Sequence, residues 1–138
     1  RLPLVLRTGR IPLGMTFDQL CRPSKDGSAT PARDLARAQV AIAHAPSKPG
    51  GYYLAMVSLH RLRILGLATD TAREVLRRAP TPVMKITALH VLAQQALAVQ
   101  DMAALRHWKR LLKEAVRVSV TELGFETDRE RSVCVVGG

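Results

Sequence analysis

The sequence predicts an all-α protein: about five helices in irregular antiparallel hairpins, a short helical-repeat-like bundle with an irregular N-terminal arm and C-terminal tail. Three observations lead there. Apolar residues make up 47% of the chain, enough for a core, while aromatics make up only 4%, too few for a β-sandwich or an aromatic nucleic-acid platform. Between residues 30 and 118 the apolar positions follow helical spacing. Prolines then divide that stretch into pieces of helical length. "HAPSKPGGYYLAM" from His44 and "RRAPTPVMKITAL" from Arg78 each end one helix on Ala-Pro, cross a proline-containing break and start another. At 138 residues the chain is one domain with room for a genuine core.

Residues 1–29 read as a basic irregular arm closed by the turn-rich "RPSKDGSATP". Residues 30–118 form the helical-hairpin domain, and 119–138 a mixed-charge tail. The first helix, "PARDLARAQVAIAHA", starts on Thr30-Pro31: an N-capping hydroxyl, then proline where a missing N–H is harmless. Ala36, Val40 and Ala43 give it one small-residue face flanked by Leu35 and Ile42. A second helix fits Tyr52 to Leu65 and ends near Gly66. A third starts around Thr69 to Thr71, where Thr71-x-x-Glu74 has capping-box spacing, ends at Ala79-Pro80, and buries Ala72, Val75, Leu76 and Ala79. The fourth, about Val83 to Val99, holds Lys85 as its single charge and should lie in the middle of the fold. His90 and Gln94, four apart, are expected to pair there, and with Gln95 they make this segment a poor membrane span. The fifth covers about Asp101 to Val118. No Gly or Pro separates it from the fourth, yet a hairpin is expected. The tail alternates weakly at both ends and could supply a short strand; a tail that orders on a partner is the preferred reading.

The net charge is +10 with a pI near 10.8. Arginine, suited to bidentate phosphate contact, outnumbers lysine, and GC-rich coding would favour the same bias. Such a chain meets polyanions: RNA, DNA or acidic headgroups. Residues 52–118 carry 11 cations against 4 anions, and residues 119–138 carry 2 against 4. Cys21 and Cys134 lie far apart without metal-type spacing and are expected as free thiols. Arg1, Arg7 and Arg10 occur before the first acid, Asp18, a pattern typical of mitochondrial import signals and the sequence just beyond them.

Catalytic signatures are missing. The four histidines are dispersed, and no zinc-type histidine pair, C-x-x-C, nucleophile elbow, P-loop or dinucleotide fingerprint occurs. No carboxylate pair stands out for acid/base work. No enzyme activity, cofactor, metal or small-molecule substrate is expected. The sharpest local feature is "DMAALRHWKRLLKEAVRV". At 100° per residue Arg106, Lys109, Arg110, Lys113 and Arg117 fall within about 100° of arc. Ala104, Leu105, Trp108, Leu111, Leu112, Ala115 and Val118 take the other side. Like charges four apart repel mildly, and polyanion binding reverses that by releasing counterions. Arg73 and Arg77 on the third helix extend the patch. The same face would also serve simply as a solvated surface.

The Ala-Pro pairs at Ala45-Pro46 and Ala79-Pro80 are spaced like one paired-helix repeat unit, which runs to about 33–36 residues. An Ala–x3–apolar–x2–apolar pattern recurs as Ala36/Val40/Ala43, Ala72/Leu76/Ala79 and Ala104/Trp108/Leu111, so its successive starts bracket that interval. Over about residues 32–115, best in "YYLAMVSLHRLRILGLATDTAREVLRRAP", the chain resembles the tetratricopeptide and pentatricopeptide helical-hairpin families. It departs from them at His60 and Leu92, where the tetratricopeptide pattern has a small residue, and in a first helix longer than the pentatricopeptide one. The resemblance implies stacked helix pairs and carries no ligand-reading residue. The resulting expectation is a non-enzymatic structural subunit of a large ribonucleoprotein, the mitochondrial (matrix) ribosome first. RNA-binding residues would be Arg106, Lys109, Arg110, Lys113, Arg117, Arg73, Arg77, Arg1, Arg7 and Arg10, with rRNA phosphates and neighbouring subunits as partners. The alternatives are an accessory subunit of a respiratory or ATP synthase membrane complex, not itself transmembrane, and a helical-repeat adaptor or RNA-processing protein.

Overall fold

The helices seen in a computed structural model follow the proline punctuation of the chain. Residues 14–25 and 30–137 are described, with side chains through residue 121. The elements are α1 (Phe17–Cys21), α2 (Pro31–His44), α3 (Pro49–Arg61), α4 (Leu65–Leu76), α5 (Pro82–Ala98) and α6 (Met102–Gly137). Among the described residues no strand occurs, and the protein is all-α. Proline occupies the first turn of α2, α3 and α5, where its absent N–H leaves nothing unpaired. Thr30 and Thr81 accept hydrogen bonds from Arg33 N and Met84 N at 3.3 Å, and Asp101 accepts from Ala104 N at 3.1 Å.

Several expected boundaries move. Residues 1–29, read as irregular, contain α1, set by a capping box: Thr16 Oγ1 accepts from Gln19 N at 3.1 Å and Gln19 Oε1 from Thr16 N at 2.9 Å. The second expected helix starts at Pro49 rather than Tyr52 and stops before Leu62, not near Gly66. Thr71 does not cap; it lies inside α4 with its hydroxyl donating to Leu67 O at 2.6 Å. The reason is that α3 and α5 both end on left-handed residues that are not glycine, Arg63 (φ 63°) and Gln100 (φ 57°). At each, a pair of hydrogen bonds folds the chain back: Ile64 N to Leu59 O with Arg63 N to His60 O, and Asp101 N to Ala96 O with Gln100 N to Leu97 O. The second of these separates α5 from α6, as the expected hairpin requires. The expected mixed-charge tail is instead helix, since α6 continues to Gly137. Nothing between Val118 and Leu123 stops it, and Gly124 inside a helix costs about 1 kcal/mol without ending it.

Each helix from α2 to α6 packs against its chain neighbours, and α3 also meets α1 and α5. The main core takes Leu35 and Ala38 from α2, Leu54, Ala55, Met56 and Leu59 from α3, Ala68, Ala72 and Val75 from α4, and Ala88, Val91 and Leu92 from α5. The central helix is therefore α3 rather than α5. Four partners surround α3, whereas α5 leaves Val83 and Leu97 exposed. A second cluster seats α1 through Leu20 and Cys21 on Val40 and Ala41. A third joins Ala93 and Ala96 of α5 to Leu105 of α6.

The interval between the Ala-Pro pairs corresponds to helix pairs: α2 and α4 start at Pro31 and Leu65, and α3 and α5 at Pro49 and Pro82. The packing residues behind it are only partly those of the expected pattern, of which Val40 and Ala72 are buried. In every copy its third position is exposed: Ala43, Ala79 and Leu111. Ala79 even lies beyond the end of α4, at φ 47°. The alanines with no exposed surface include Ala38, Ala55, Ala72 and Ala88, one on each helix from α2 to α5. Each lets a neighbouring helix approach closely.

Two polar arrangements tie the arm and the loops to this core. Asp34, in the first turn of α2 and 1% exposed, accepts from Ser24 N at 3.0 Å and from the Ser24 hydroxyl. The Arg37 and Arg61 guanidinium groups stand 3.8 and 3.9 Å from its oxygens, and Arg37 also donates to Arg22 O. At the proline end, Arg78 donates to Pro46 O at 2.7 Å and to Glu74 at 2.6 Å, with its guanidinium 3.9 Å from the Tyr52 ring centre. The two Ala-Pro loops thus meet through one arginine. Arg78, with Arg77 assisting, holds the Glu74 carboxyl below its usual range.

Cys21 is a buried free thiol. Desolvation, and secondarily the charge of Asp18, push its pKa up from 9.0 to about 11, against the pull of Arg37 and Lys48. In the unfolded chain the thiol ionises near its ordinary value, so between roughly pH 9 and 11 the unfolded state holds fewer protons than the folded one. Its contribution to stability is complete below about pH 9 and is lost as pH rises toward 11. Urea midpoints taken across that range should fall more gently for Cys21→Ala than for the parent; parallel curves would show that the thiol does not titrate differently on folding.

Candidate nucleic-acid interface

The expected cationic face lies on α6. Asp101 caps the helix, and Leu105, Ala115 and half-buried Trp108 and Leu112 fix its rotation against the bundle. The same rotation leaves Arg106, Lys109, Arg110, Lys113 and Arg117 exposed. The five are not equivalent. Arg106, Lys109 and Lys113 make no hydrogen bond or ion pair with any described residue. Arg110 reaches His107 Nδ1 at 3.3 Å, and no described acid pairs with its guanidinium. Arg117 forms a two-pronged pair with Glu114, at 3.1 and 2.5 Å. That hydrogen bond holds the Glu114 carboxyl low and raises Arg117, and Lys85 of α5 adds to the lowering. No acid lies within the arc of the five cations, but one beside it takes Arg117. Glu114 sits at its edge, and arginine is long enough to reach back three residues.

Arg73 of α4 and Arg77 at its C-cap do not simply enlarge the patch. The Arg73 guanidinium lies 5.5 Å from the Trp108 ring centre, a cation–π contact between α4 and α6. Trp108 also meets the ring of His107, with centres 4.7 Å apart and an edge-on geometry. Arg77 is exposed but pairs with Glu74 at 2.5 Å. Arg1, Arg7 and Arg10 lie outside the described residues. Sequence reasoning missed Glu114 as a counter-ion, for which its i, i+3 spacing to Arg117 is the available signal. It also missed Arg78, whose partners come from three different segments and leave no local trace.

The expected His90–Gln94 pair does not form: His90 is exposed, and His60 Nε2 lies 3.0 Å from Gln94 Oε1 instead, because α3 packs beside α5. A cavity of about 320 Å³ beside that pair is lined by Arg63, Thr69 and Gln95 among others, without two titratable groups poised for proton transfer. Among the described residues no cluster of metal-ligating side chains occurs, and no helix is long and apolar enough to cross a membrane. An open groove of about 470 Å³ runs between α4, α5 and α6, floored by Leu76, Leu89 and Ala115 with Lys85 and Glu114 on its rim.

Fold and surface together define a class: a small all-α protein presenting one helix with an apolar seam inside and, outside, cations most of which have no acidic partner among the described residues. No known protein family, curated protein or solved structure matches the chain.

Proposed function

We propose that this chain is a non-enzymatic structural subunit of a large ribonucleoprotein, and within that class of the mitochondrial ribosome, where it contacts rRNA phosphates. The observation that carries the reading is the outer face of α6, on which Arg106, Lys109 and Lys113 stand exposed and unpaired beside Arg110. Four positive charges left without acids on a rigid helix neutralise phosphates and release their counterions, which favours binding in proportion to the contacts made. The arm with Arg1, Arg7 and Arg10 would add phosphate contacts and accounts for the compartment in this reading. Exposed Val116 and Val120 of α6 provide apolar surface for neighbouring subunits.

The combined charge reversal R106E/K109E/K113E tests it. These side chains have no intramolecular partners among the described residues, so unfolding free energies should stay within about 0.5 kcal/mol of the parent. Sedimentation of the tagged protein from gently lysed mitochondria should show the parent travelling with a ribosomal subunit, released by RNase or high salt, and the variant left at the top of the gradient. Migration of the parent with a membrane complex, indifferent to RNase, would overturn the proposal and favour an accessory subunit with an acidic protein or lipid against the face. A second reading, a helical-repeat adaptor related to the tetratricopeptide or pentatricopeptide families, draws support from the regular helix pairs and from the open α4–α6 groove.

A further inference from the structure

Resting on that reading, we infer that the α6 face takes the backbone of double-helical RNA and not a single strand. The free cations run along one side of a single helix, from Arg106 through Lys109 and Arg110 to Lys113, a line of about 10 Å at 1.5 Å per residue. That side is the outer surface of α6. The cavities adjoining α5 open elsewhere, between α4, α5 and α6 and beside His60. A single strand gains most from a groove that follows its backbone and from aromatic rings on which bases stack. Neither lies on this face. Among the described residues Phe17, Tyr52, Tyr53 and Trp108 are all half-buried. Phe17 is engaged by His44 and Lys48, Tyr52 by Arg78, and Trp108 by His107 and Arg73. His107 borders the face, but its ring rests on Trp108 and its Nδ1 takes the Arg110 hydrogen.

A convex row of cations on a rigid rod can therefore offer phosphate contact and nothing else. A flexible strand would lose conformational freedom on lying along it, with no stacking in return. A duplex presents its phosphates already ordered, with charges of two strands along one axis, and each neutralised phosphate releases more counterion than on a single strand. Recognition of this kind follows backbone and shape, the usual mode for double-stranded RNA. It is independent of sequence.

The test is fluorescence anisotropy on the full chain with a labelled 20-base-pair RNA duplex, an unstructured single strand of the same length, and polyglutamate as a competitor. The duplex should bind at least tenfold more tightly than the single strand at a fixed salt concentration of about 100 mM. The four cations of the face should contribute about −3 to −4 to the slope of log K against log salt, since each phosphate contact contributes about −0.9, and the contacts of the arm add to that. Lys109→Ala and Lys113→Ala should each reduce that slope by about 1, with helical circular dichroism unchanged. Equal or tighter binding of the single strand would overturn the inference while leaving the RNA reading in place. Binding of neither RNA, or displacement by polyglutamate at equal charge, would overturn both.

Discussion

Asp34→Ala is expected to lower the unfolding free energy by about 2–3 kcal/mol, in urea titrations followed by circular dichroism. The carboxylate is 1% exposed and its two oxygens are the acceptors for the amide and hydroxyl of Ser24. Truncation leaves both donors in a part-buried site without a partner, and an unpaired donor there costs about 1–3 kcal/mol. It also removes the negative charge that two cations face. Breaking a fully buried ion pair costs about 3–5 kcal/mol, but Arg37 and Arg61 are 25% and 35% exposed and lie beyond hydrogen-bond reach of the carboxylate. Both can rehydrate, which places the expected loss below that range. Asp34→Asn separates the contributions. It keeps an acceptor for Ser24 and removes the charge, so it should cost roughly half as much as alanine. The effect has a local signature too, because Ser24 ties the segment after α1 to the start of α2. Limited trypsin digestion of Asp34→Ala should cut faster after Lys25 than in the parent; Pro23 protects the bond after Arg22 in both. A loss under about 0.5 kcal/mol, the range of an ordinary surface substitution, with unchanged cleavage, would mean that water satisfies Ser24 and the arginines equally well.

Gly51→Ala should destabilise by about 2 kcal/mol, the middle of the range for an overpacked contact, although alanine is the better helix former. A Cβ at position 51 would stand 2.8 Å from both Ile42 N and Ile42 Cγ1 and 3.1 Å from the carbonyl carbon of Ala41. Two of those atoms are backbone of α2, so a side-chain rotation cannot relieve the contact. The helices would have to separate along the seam packed by Leu35, Ala38, Leu54 and Ala55. Overpacking of this kind costs about 1–3 kcal/mol. The opposing gain in helix propensity is at most about 1 kcal/mol, less in the first turn, so the clash decides the sign. Gly66 provides the internal comparison. It lies in the first turn of α4, exposed, with nothing within 4 Å of a built Cβ. Gly66→Ala should therefore raise stability by about 0.5 kcal/mol. If both substitutions shift the urea midpoint in the same direction, close approach of α2 and α3 is not what requires glycine at position 51.

The helical class, the proline-led start at Pro31, the start of α5 within one residue of the expected Val83 and the separate α5 and α6 were legible in the chain, because capping and proline geometry act within a few residues. The ends were less so. Arg63 and Gln100 adopt left-handed backbone that glycine usually supplies, and their stability comes from hydrogen bonds back into the preceding turn, which composition does not announce. The shift of the second helix end from Gly66 to Arg61 follows from this. So does the misplaced capping box at Thr71. The interval between helix starts was legible, but its packing residues only in part, since Ala36 and Ala38 are equally good candidates until the rotation of α2 against α3 is known.

The same division holds for the surface. Clustering of cations on one side of the helix over residues 101–118 depends only on helical periodicity, and the sequence by itself determined it, along with the all-α class, the net charge and the helix-pair interval. Which of those cations remain available was decided by tertiary and side-chain geometry. Glu114 partly neutralises Arg117, Trp108 engages Arg73 from another helix, and Glu74 holds Arg77. The buried Asp34 cluster and the Arg78 bridge between the proline loops were likewise invisible in one dimension. Each joins residues far apart in the chain, and a contact of that span exists only after the helices have packed.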